Sequence, residues 1–219
     1  MAVSMALVLF GLIMSFIQDL ARTPAYIQAS LTRVNKPERP DFAQYNQLLK
    51  TFAKDGRIDY QKLKASPLLQ AAMDELATTS PDNFKKLDDI ACYWFNAHNL
   101  IAIKVVCDEY PVKTPLKLKR DFIVRLFVVG GKAQSTETIW TDFIHPKLVE
   151  RRKDKAVQAD SIFLLCRAYR GYPEITDHAI TAETMRADIA SNVEKFVHNP
   201  ANFAYKPDEH LFHISRFFQ

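Results

Sequence analysis

The fold is decided by LDDIACYWFNAHNLIAIKVVCDEYP, Leu87 to Pro111, a long apolar run with uncharged polar side chains in its middle. At the helical period of about 100° per residue, its apolar side chains cover nearly the whole circumference. Only a narrow strip near Asp89 and Lys104 is left for water. A helix of this kind must be surrounded by protein, so we predict a buried central helix.

Three polar side chains would be buried with this helix: Asn96, His98 and Asn99. Each needs hydrogen-bond partners, because an unpaired amide in an apolar interior costs about 1 to 3 kcal/mol. Asn96 and Asn99 share one face, whereas His98 points roughly 160° away from Asn96. We therefore predict two separate polar contacts, in which the two asparagines tie the helix to backbone groups of adjoining segments.

Composition sets the fold class. The chain has 219 residues, 48% of them hydrophobic and 25% charged, which is enough for one well-covered core. With 5 glycines and 11 prolines the sequence favours helices over repetitive β structure. The net charge of +4 is mild, so no nucleic-acid partner is predicted.

The prediction is an α+β fold: a helix-rich single domain with a small sheet around the buried central helix. The strands are expected at Phe122 to Val129, Ala159 to Tyr169 and in the C-terminal segment, from their aromatic and β-branched residues. Pro146 is expected to end the helix that precedes it. Residues with N-cap character mark five helix starts, at Asp41, Ser66, Ser80, Ser135 and Thr181.

The N-terminal segment, residues 1–22, opens with 17 residues that carry no charged side chain. As a helix these would span about 26 Å, a little short of a bilayer core. Three interpretations stay open: a signal peptide or uncleaved anchor, an apolar helix docked on the domain or on a partner, and an interfacial segment. The first implies a bacterial cell envelope, with membrane association through residues 1–17; otherwise the protein is cytoplasmic. Prolines bracket residues 23–40 as a linker or surface loop, which leaves 41–219 as the domain.

The cysteines and histidines predict no metal site and no cofactor. Cys92 and Cys107 would lie roughly 22 Å apart along one helix, too far for a disulfide. At most one disulfide, involving Cys166, stays open, and buried free thiols are the expectation. His210 and His213 form only a two-ligand fragment. Glycine-rich phosphate loops and the common hydrolase motifs are absent from the sequence.

Several segments, in order, resemble the domain of unknown function family numbered 547. The segments are YWFNAHNLIAIKVV with YPVK, FAKDGRIDYQKL, GGKAQSTETI, SIFLLCRAYRGYP and HISRFF, from about Phe52 to Phe218. Asn96, Asn99 and Cys166 match the family's pattern. The departures are His98 where the family usually has Tyr, Trp140 in place of a Glu, Ala159 and Ser161 in place of an Arg and a His, and Tyr172 in place of the Cys before Pro173. The resemblance implies a divergent member, a fold and an exported bacterial context, but no reaction.

Two functions remain open. In the first, the protein is a non-catalytic or degenerate member that binds a protein partner or small ligand near Asn96 and Cys166, with Asn99 and Glu137 as further binding candidates. In the second, it is a thiol-dependent hydrolase or transferase with Cys166 as nucleophile and His98 as base. Asn96 or Asn99 would then orient the histidine or hold an oxyanion. The discriminating feature is whether Cys166 and a histidine meet in a cleft.

Overall fold

The computed structural model describes residues 22–113, 115–149, 160–166, 168, 171–215 and 217. The apolar segment before residue 22 and residues 150–159 lie outside the described residues. The helices are α1 (22–31), α2 (Ala43–Phe52), α3 (Tyr60–Lys64), α4 (Pro67–Thr78), α5 (Leu87–Glu109), α6 (Lys119–Val124), α7 (Thr136–Ile139) and α8 (Met185–His198). The strands are β1 (Ala53–Lys54), β2 (Arg57–Ile58), β3 (Phe127–Val129), β4 (Lys132–Gln134), β5 (Phe203–Lys206) and β6 (Leu211–Ile214).

The central helix α5 confirms the prediction made from its apolar circumference. Every residue from 91 to 103 and from 105 to 107 is buried. Among the described residues α5 is also long and apolar enough to cross a membrane, but its side chains are largely buried inside the domain. Its composition is therefore explained by its place in the core.

Helices pack around α5 on several sides. The antiparallel strand pairs β1–β2, β3–β4 and β5–β6 each form a two-stranded sheet. α2 packs against α4, and α3, α4, α6 and α7 each contact α5. The aromatic part of the core includes Trp94, whose ring stacks on Phe143 with 3.8 Å between centroids. The molecule is a helix-rich α+β domain with small sheets, as predicted.

Three of the predicted helix starts carry the expected caps. Ser66 accepts a hydrogen bond from the Leu68 N–H, with Pro67 in the first turn. Ser80 caps the 3₁₀ turn Pro81–Asn83, whereas α5 itself begins at Leu87 after Lys86, without a side-chain cap. Ser135 forms a capping box with Thr138 at the start of α7.

The other two helix starts differ from the prediction. α2 begins at Ala43 after an N-cap Phe42, and the Asp41 side chain does not cap it. Instead Glu75 on α4 accepts hydrogen bonds from the Gln44 and Tyr45 N–H groups at 3.1 and 3.2 Å. A carboxylate distant in sequence thus replaces the local cap.

Thr181 caps a turn rather than a helix. Its hydroxyl accepts from the Thr184 N–H at 3.2 Å, and α8 starts one residue later at Met185. The Thr181 side chain therefore stabilises the turn that ends at Thr184, immediately before the first residue of α8.

The predicted strands are shorter than expected or absent. The strand at Ala159 to Tyr169 is wrong for the described residues, because Ser161–Leu164 is a 3₁₀ helix. The strand at Phe122 to Val129 is correct only at its end, since α6 runs to Val124 and β3 covers Phe127–Val129. α7 continues as a π-helix, Trp140–Val149, so Pro146 does not end it. The C-terminal strand exists, as the β5–β6 hairpin.

The segment predicted as a linker or surface loop, residues 23–40, includes a helix and hydrogen bonds to α4. Residues 22–31 are helical, and Asn35 pairs with the end of α4. The Asn35 N–H donates to the Thr78 carbonyl at 2.7 Å, and the Asn35 carbonyl accepts from the Ser80 N–H at 2.9 Å. The hydrogen-bonded structure therefore begins before residue 41.

Candidate functional site

Asn96 joins α5 to the segment that precedes α8. Its Nδ2 donates to the Ile180 carbonyl at 2.8 Å, and its Oδ1 accepts from the Ile180 N–H at 2.9 Å. The side-chain amide thus pairs with both backbone groups of one residue, as a neighbouring strand would. Because Asn96 is only 1% exposed, these bonds satisfy a buried amide.

Asn99, about one turn further along α5, also bonds to two backbone groups, which belong to two different residues. Its Nδ2 donates to the Leu164 carbonyl at 2.8 Å, and its Oδ1 accepts from the Cys166 N–H at 2.8 Å. The two bonded groups flank Leu165. The prediction that both asparagines are buried and paired with backbone groups is confirmed.

Two further asparagines take part that the sequence did not single out. Asn46 Oδ1 accepts from the Ala179 N–H at 3.0 Å. Asn192 Nδ2 donates to the carbonyls of Phe163 and Glu174 at 2.9 and 3.2 Å. We call these four residues (Asn46, Asn96, Asn99 and Asn192) the asparagine clamp. Their side chains bond to backbone groups of residues 163–166 and 174–180, which in a sheet would bond to a neighbouring strand.

A signal for Asn192 is present in the sequence. It lies three residues after Ile189 and four before Phe196, on the apolar stripe of α8. A polar residue on a buried stripe needs internal partners, and this position could have been found by that rule.

Cys166 is a buried thiol. It is 6% exposed, and burial raises its pKa to about 11, an effect that the Ala168 N–H beside the sulfur only partly opposes. A nucleophilic cysteine needs a lowered pKa, so the surroundings act in the opposite direction. Cys92 and Cys107 are likewise free and buried, as predicted.

Of the other candidate residues, Asn99 bonds to the backbone N–H of Cys166. His98 is buried on α5, at 4% exposure. Glu137 is exposed in the first turn of α7. Within the described residues, no group of three or more His, Cys, Asp or Glu side chains is placed to hold a metal ion.

An open cleft lies where the clamp meets the surface. It has a volume of about 190 Å³ and lies between the start of α2, the first turn of α5 and the segment before α8. We call it the Asp89 cleft; its polar lining is Arg39, Asp41, Asn46, Asp89, Thr181 and Glu183. Its wall includes Ala179 and Ile180, the two residues that Asn46 and Asn96 hold in place.

The charges around the Asp89 cleft are mostly negative. Three carboxylates line it, at Asp41, Asp89 and Glu183, against one guanidinium at Arg39. Arg39 Nη2 lies 3.8 Å from Glu183 Oε1, and both side chains are more than two-thirds exposed. This exposed pair is weak, and the charge of Lys86 also acts on Glu183. The excess of negative charge in the cleft lining therefore rests on Asp41 and Asp89.

Comparison with family models, curated proteins and solved structures found no match for this chain. The resemblance to the family numbered 547 therefore stays a prediction that rests on the residues quoted for it.

Proposed function

We propose that the protein is a non-catalytic binding domain and that it receives a cationic group of a partner in the Asp89 cleft. The observation that supports this is the contrast between two sets of polar residues. Asn96 and Asn99 are buried and their amides are occupied by backbone groups. Asp41, Asp89 and Glu183 instead line an open cleft, in which Glu183 is already engaged by Arg39 and Thr181.

An arginine side chain is the partner group with the best chemical fit. Its guanidinium is planar, always charged and able to hydrogen-bond to carboxylates through two N–H groups at once. A volume of about 190 Å³ suits one side chain better than a large ligand. We therefore propose a protein or peptide partner that inserts an arginine, with the rest of its surface lying on the rim.

The cellular setting is part of the same proposal. The apolar residues 1–17 favour an export signal or membrane anchor, and the resemblance favours a divergent, degenerate member of an exported bacterial family. The domain would then meet its partner in the cell envelope. Sequencing the N-terminus of the mature chain tests the location independently of the binding site.

The binding test uses N-acetyl-argininamide as the probe. At about 0.3 kcal/mol per heavy atom, its roughly 15 heavy atoms give a dissociation constant of about 1 mM, which NMR titration of the ¹⁵N-labelled protein can measure. We expect the amide shifts to concentrate at residues 41–46, 89 and 179–183. N-acetyl-citrullinamide has nearly the same shape without the charge and should produce much smaller shifts.

Two Asp→Asn variants, each nearly unchanged in side-chain shape, compare a carboxylate inside the cleft with one outside it. Asp89→Asn removes a charge from the cleft and should weaken probe binding several-fold. Asp74→Asn removes an exposed charge on α4, away from the cleft, and should leave binding unchanged. Equal shifts with both probes, or shifts elsewhere on the surface, would reject the arginine site.

A thiol-dependent activity is the alternative, and one observation favours it. Ala168 has a positive φ of 55°, which is unusual for a residue other than glycine, and its N–H lies beside the Cys166 sulfur. Strained backbone next to a thiol occurs at active sites. The raised pKa and the burial of Cys166 argue against this alternative, and alkylation of the folded protein decides between the two.

A further inference from the structure

His178 lies between two carboxylates. Its Nδ1 is 2.8 Å from Asp177 Oδ1, and its Nε2 is 3.1 Å from Asp188 Oδ1. Asp188 belongs to α8 and its side chain is only 11% exposed, whereas that of His178 is 33% exposed. Both ring nitrogens thus face acceptors, an arrangement that a doubly protonated imidazole satisfies.

The segment that carries His178 forms one wall of the Asp89 cleft. The next two residues, Ala179 and Ile180, line the cleft and are held by Asn46 and Asn96. The Thr176 hydroxyl donates to the His178 carbonyl at 2.7 Å, which fixes the turn itself. His178 is therefore the ionisable link between this wall and α8.

We propose that Asp177, His178 and Asp188 form a pH-dependent latch that holds the cleft wall against α8 while His178 is protonated and loosens it when the proton leaves. Without its proton the imidazole can donate to only one of the two carboxylates. The buried Asp188 then loses its cationic partner, and the attachment of residues 176–181 to α8 weakens. The consequence for ligand binding rests on the proposed function; the latch itself does not.

The surrounding charges agree with this direction. Burial lowers the pKa of His178, but the hydrogen bonds and charges of Asp177 and Asp188 outweigh it, so that the pKa is raised above its usual value. The His178 contact and, more weakly, the charge of Lys195 on α8 lower the pKa of Asp177. The neutral Asn46 and Asn96 approach from α2 and α5, and Glu183 lies beyond the turn on the cleft side, paired with Arg39.

The pH window follows from the sign of these shifts. A histidine with a raised folded pKa contributes its full stabilisation below its unfolded value of about 6.5 and loses it as pH rises through the folded value. An aspartate with a lowered pKa contributes above its unfolded value of about 3.9 and loses its contribution in acid. The latch is thus closed in mildly acidic to neutral solution and opens on the alkaline side.

Hydrogen exchange measured by NMR tests the latch on the full chain. The Ala179 and Ile180 amides report on the wall, because they donate to Asn46 and Asn96. We expect their protection factors, corrected for intrinsic exchange, to fall roughly threefold or more between about pH 6 and pH 9. Amides in α4 report global opening and should not follow the same curve.

His178→Gln and His198→Gln are the matched variants. His178→Gln should show low, pH-independent protection at both amides. His198→Gln, where the Nδ1 of the ring lies 3.0 Å from the Glu194 carbonyl, should behave as the wild type. A flat wild-type profile, or the same fall in His178→Gln, would overturn the latch.

Probe titrations at the two pH values separate this inference from the proposed function. The guanidinium of N-acetyl-argininamide stays charged throughout the range, so the probe itself does not titrate. Probe binding that weakens at the higher pH in the wild type but not in His178→Gln supports the latch. If the protection of the Ala179 and Ile180 amides changes with pH but the probe does not bind, the proposed function alone is rejected. If their protection stays constant and the probe binds equally at both pH values, the latch alone is rejected.

Discussion

Replacing Asn99 by alanine should destabilise the protein by roughly 2 to 4 kcal/mol. The substitution removes two bonds of 2.8 Å and leaves the Leu164 carbonyl and the Cys166 N–H without a partner. Each buried group left unpaired costs about 1 to 3 kcal/mol, and Asn99 is too deeply buried for bulk water to take its place. Since whole domains are stable by only about 5 to 15 kcal/mol, the effect is large.

The assay is urea unfolding followed by circular dichroism, with thermal melting as a second readout. For a domain of this size each kcal/mol lowers Tm by about 2 to 4 °C, so Asn99→Ala should melt roughly 5 to 15 °C below the wild type. Asn83→Ala is the control, because its amide donates to the Lys36 carbonyl at 2.8 Å on the exposed surface. That variant should stay within about 0.5 kcal/mol of the wild type.

Asn99→Asp adds a test of the hydrogen-bond geometry. A buried carboxylate can accept from Cys166 but repels the Leu164 carbonyl, and burial would raise its pKa. The protonated acid restores both bonds, so the stability deficit relative to the wild type should shrink as pH falls. If the free energy of unfolding of Asn99→Ala lies within about 0.5 kcal/mol of the wild-type value, the reasoning about the clamp is refuted.

Substitutions at three further positions probe the scaffold outside the clamp, each by urea unfolding. Glu75→Ala should lower the free energy of unfolding by about 1 to 2 kcal/mol, because it removes the acceptor for the Gln44 and Tyr45 N–H groups. Glu75→Gln keeps one acceptor oxygen and should cost less. Equal losses in the two variants would reject capping as the cause. Gly130→Ala should lower the free energy of unfolding by at least about 1 to 2 kcal/mol. The φ of Gly130 is +55°, and the new Cβ would lie 3.0 Å from the Tyr93 hydroxyl and 3.1 Å from the Thr79 carbonyl. An unchanged midpoint of urea unfolding would contradict this. Phe212→Ser on the β5–β6 hairpin should leave stability within about 0.5 kcal/mol, because the side chain is 63% exposed; a large loss would show that the hairpin face is covered by other parts of the chain.

The sequence predicts the centre of the fold well because burial of α5 leaves a direct mark on composition. A run that is apolar on all sides can only be surrounded, and polar residues within it must find partners. Asn96 and Asn99 were therefore identifiable in advance. The identity of their partners was not, because Ile180, Leu164 and Cys166 are contacted through backbone atoms, which carry no sequence signal.

The errors have a common physical origin. The apolar run around Ser161–Leu164 was predicted as a strand, but in the described residues its backbone groups bond to asparagine side chains instead of a sheet. Local periodicity cannot distinguish these two solutions. The attachment of Asn35 to α4 and the capping of α2 by Glu75 are likewise contacts distant in sequence, which a residue-by-residue pattern does not contain.

The Asp89 cleft could not be predicted, because its lining comes from three segments that only the fold brings together. The contact of His178 with Asp188 depends on the path of the chain into α8, which the sequence does not reveal. The open alternative makes the Cys166 thiol a nucleophile with His98 as base. In the structure Cys166 is buried, and its burial raises the pKa of the thiol.

The central claim is that the polar residues around α5 are structural, and alkylation of Cys166 tests it most directly. The native protein is treated with iodoacetamide at neutral pH, and labelling is measured peptide by peptide, with Cys92 and Cys107 as internal buried references. With its pKa raised from 9.0 to about 11, Cys166 should react at least about a hundredfold more slowly than a model thiol and gain reactivity only on unfolding. Labelling of the folded protein at or above the rate of a model thiol, selective for Cys166, would contradict the account.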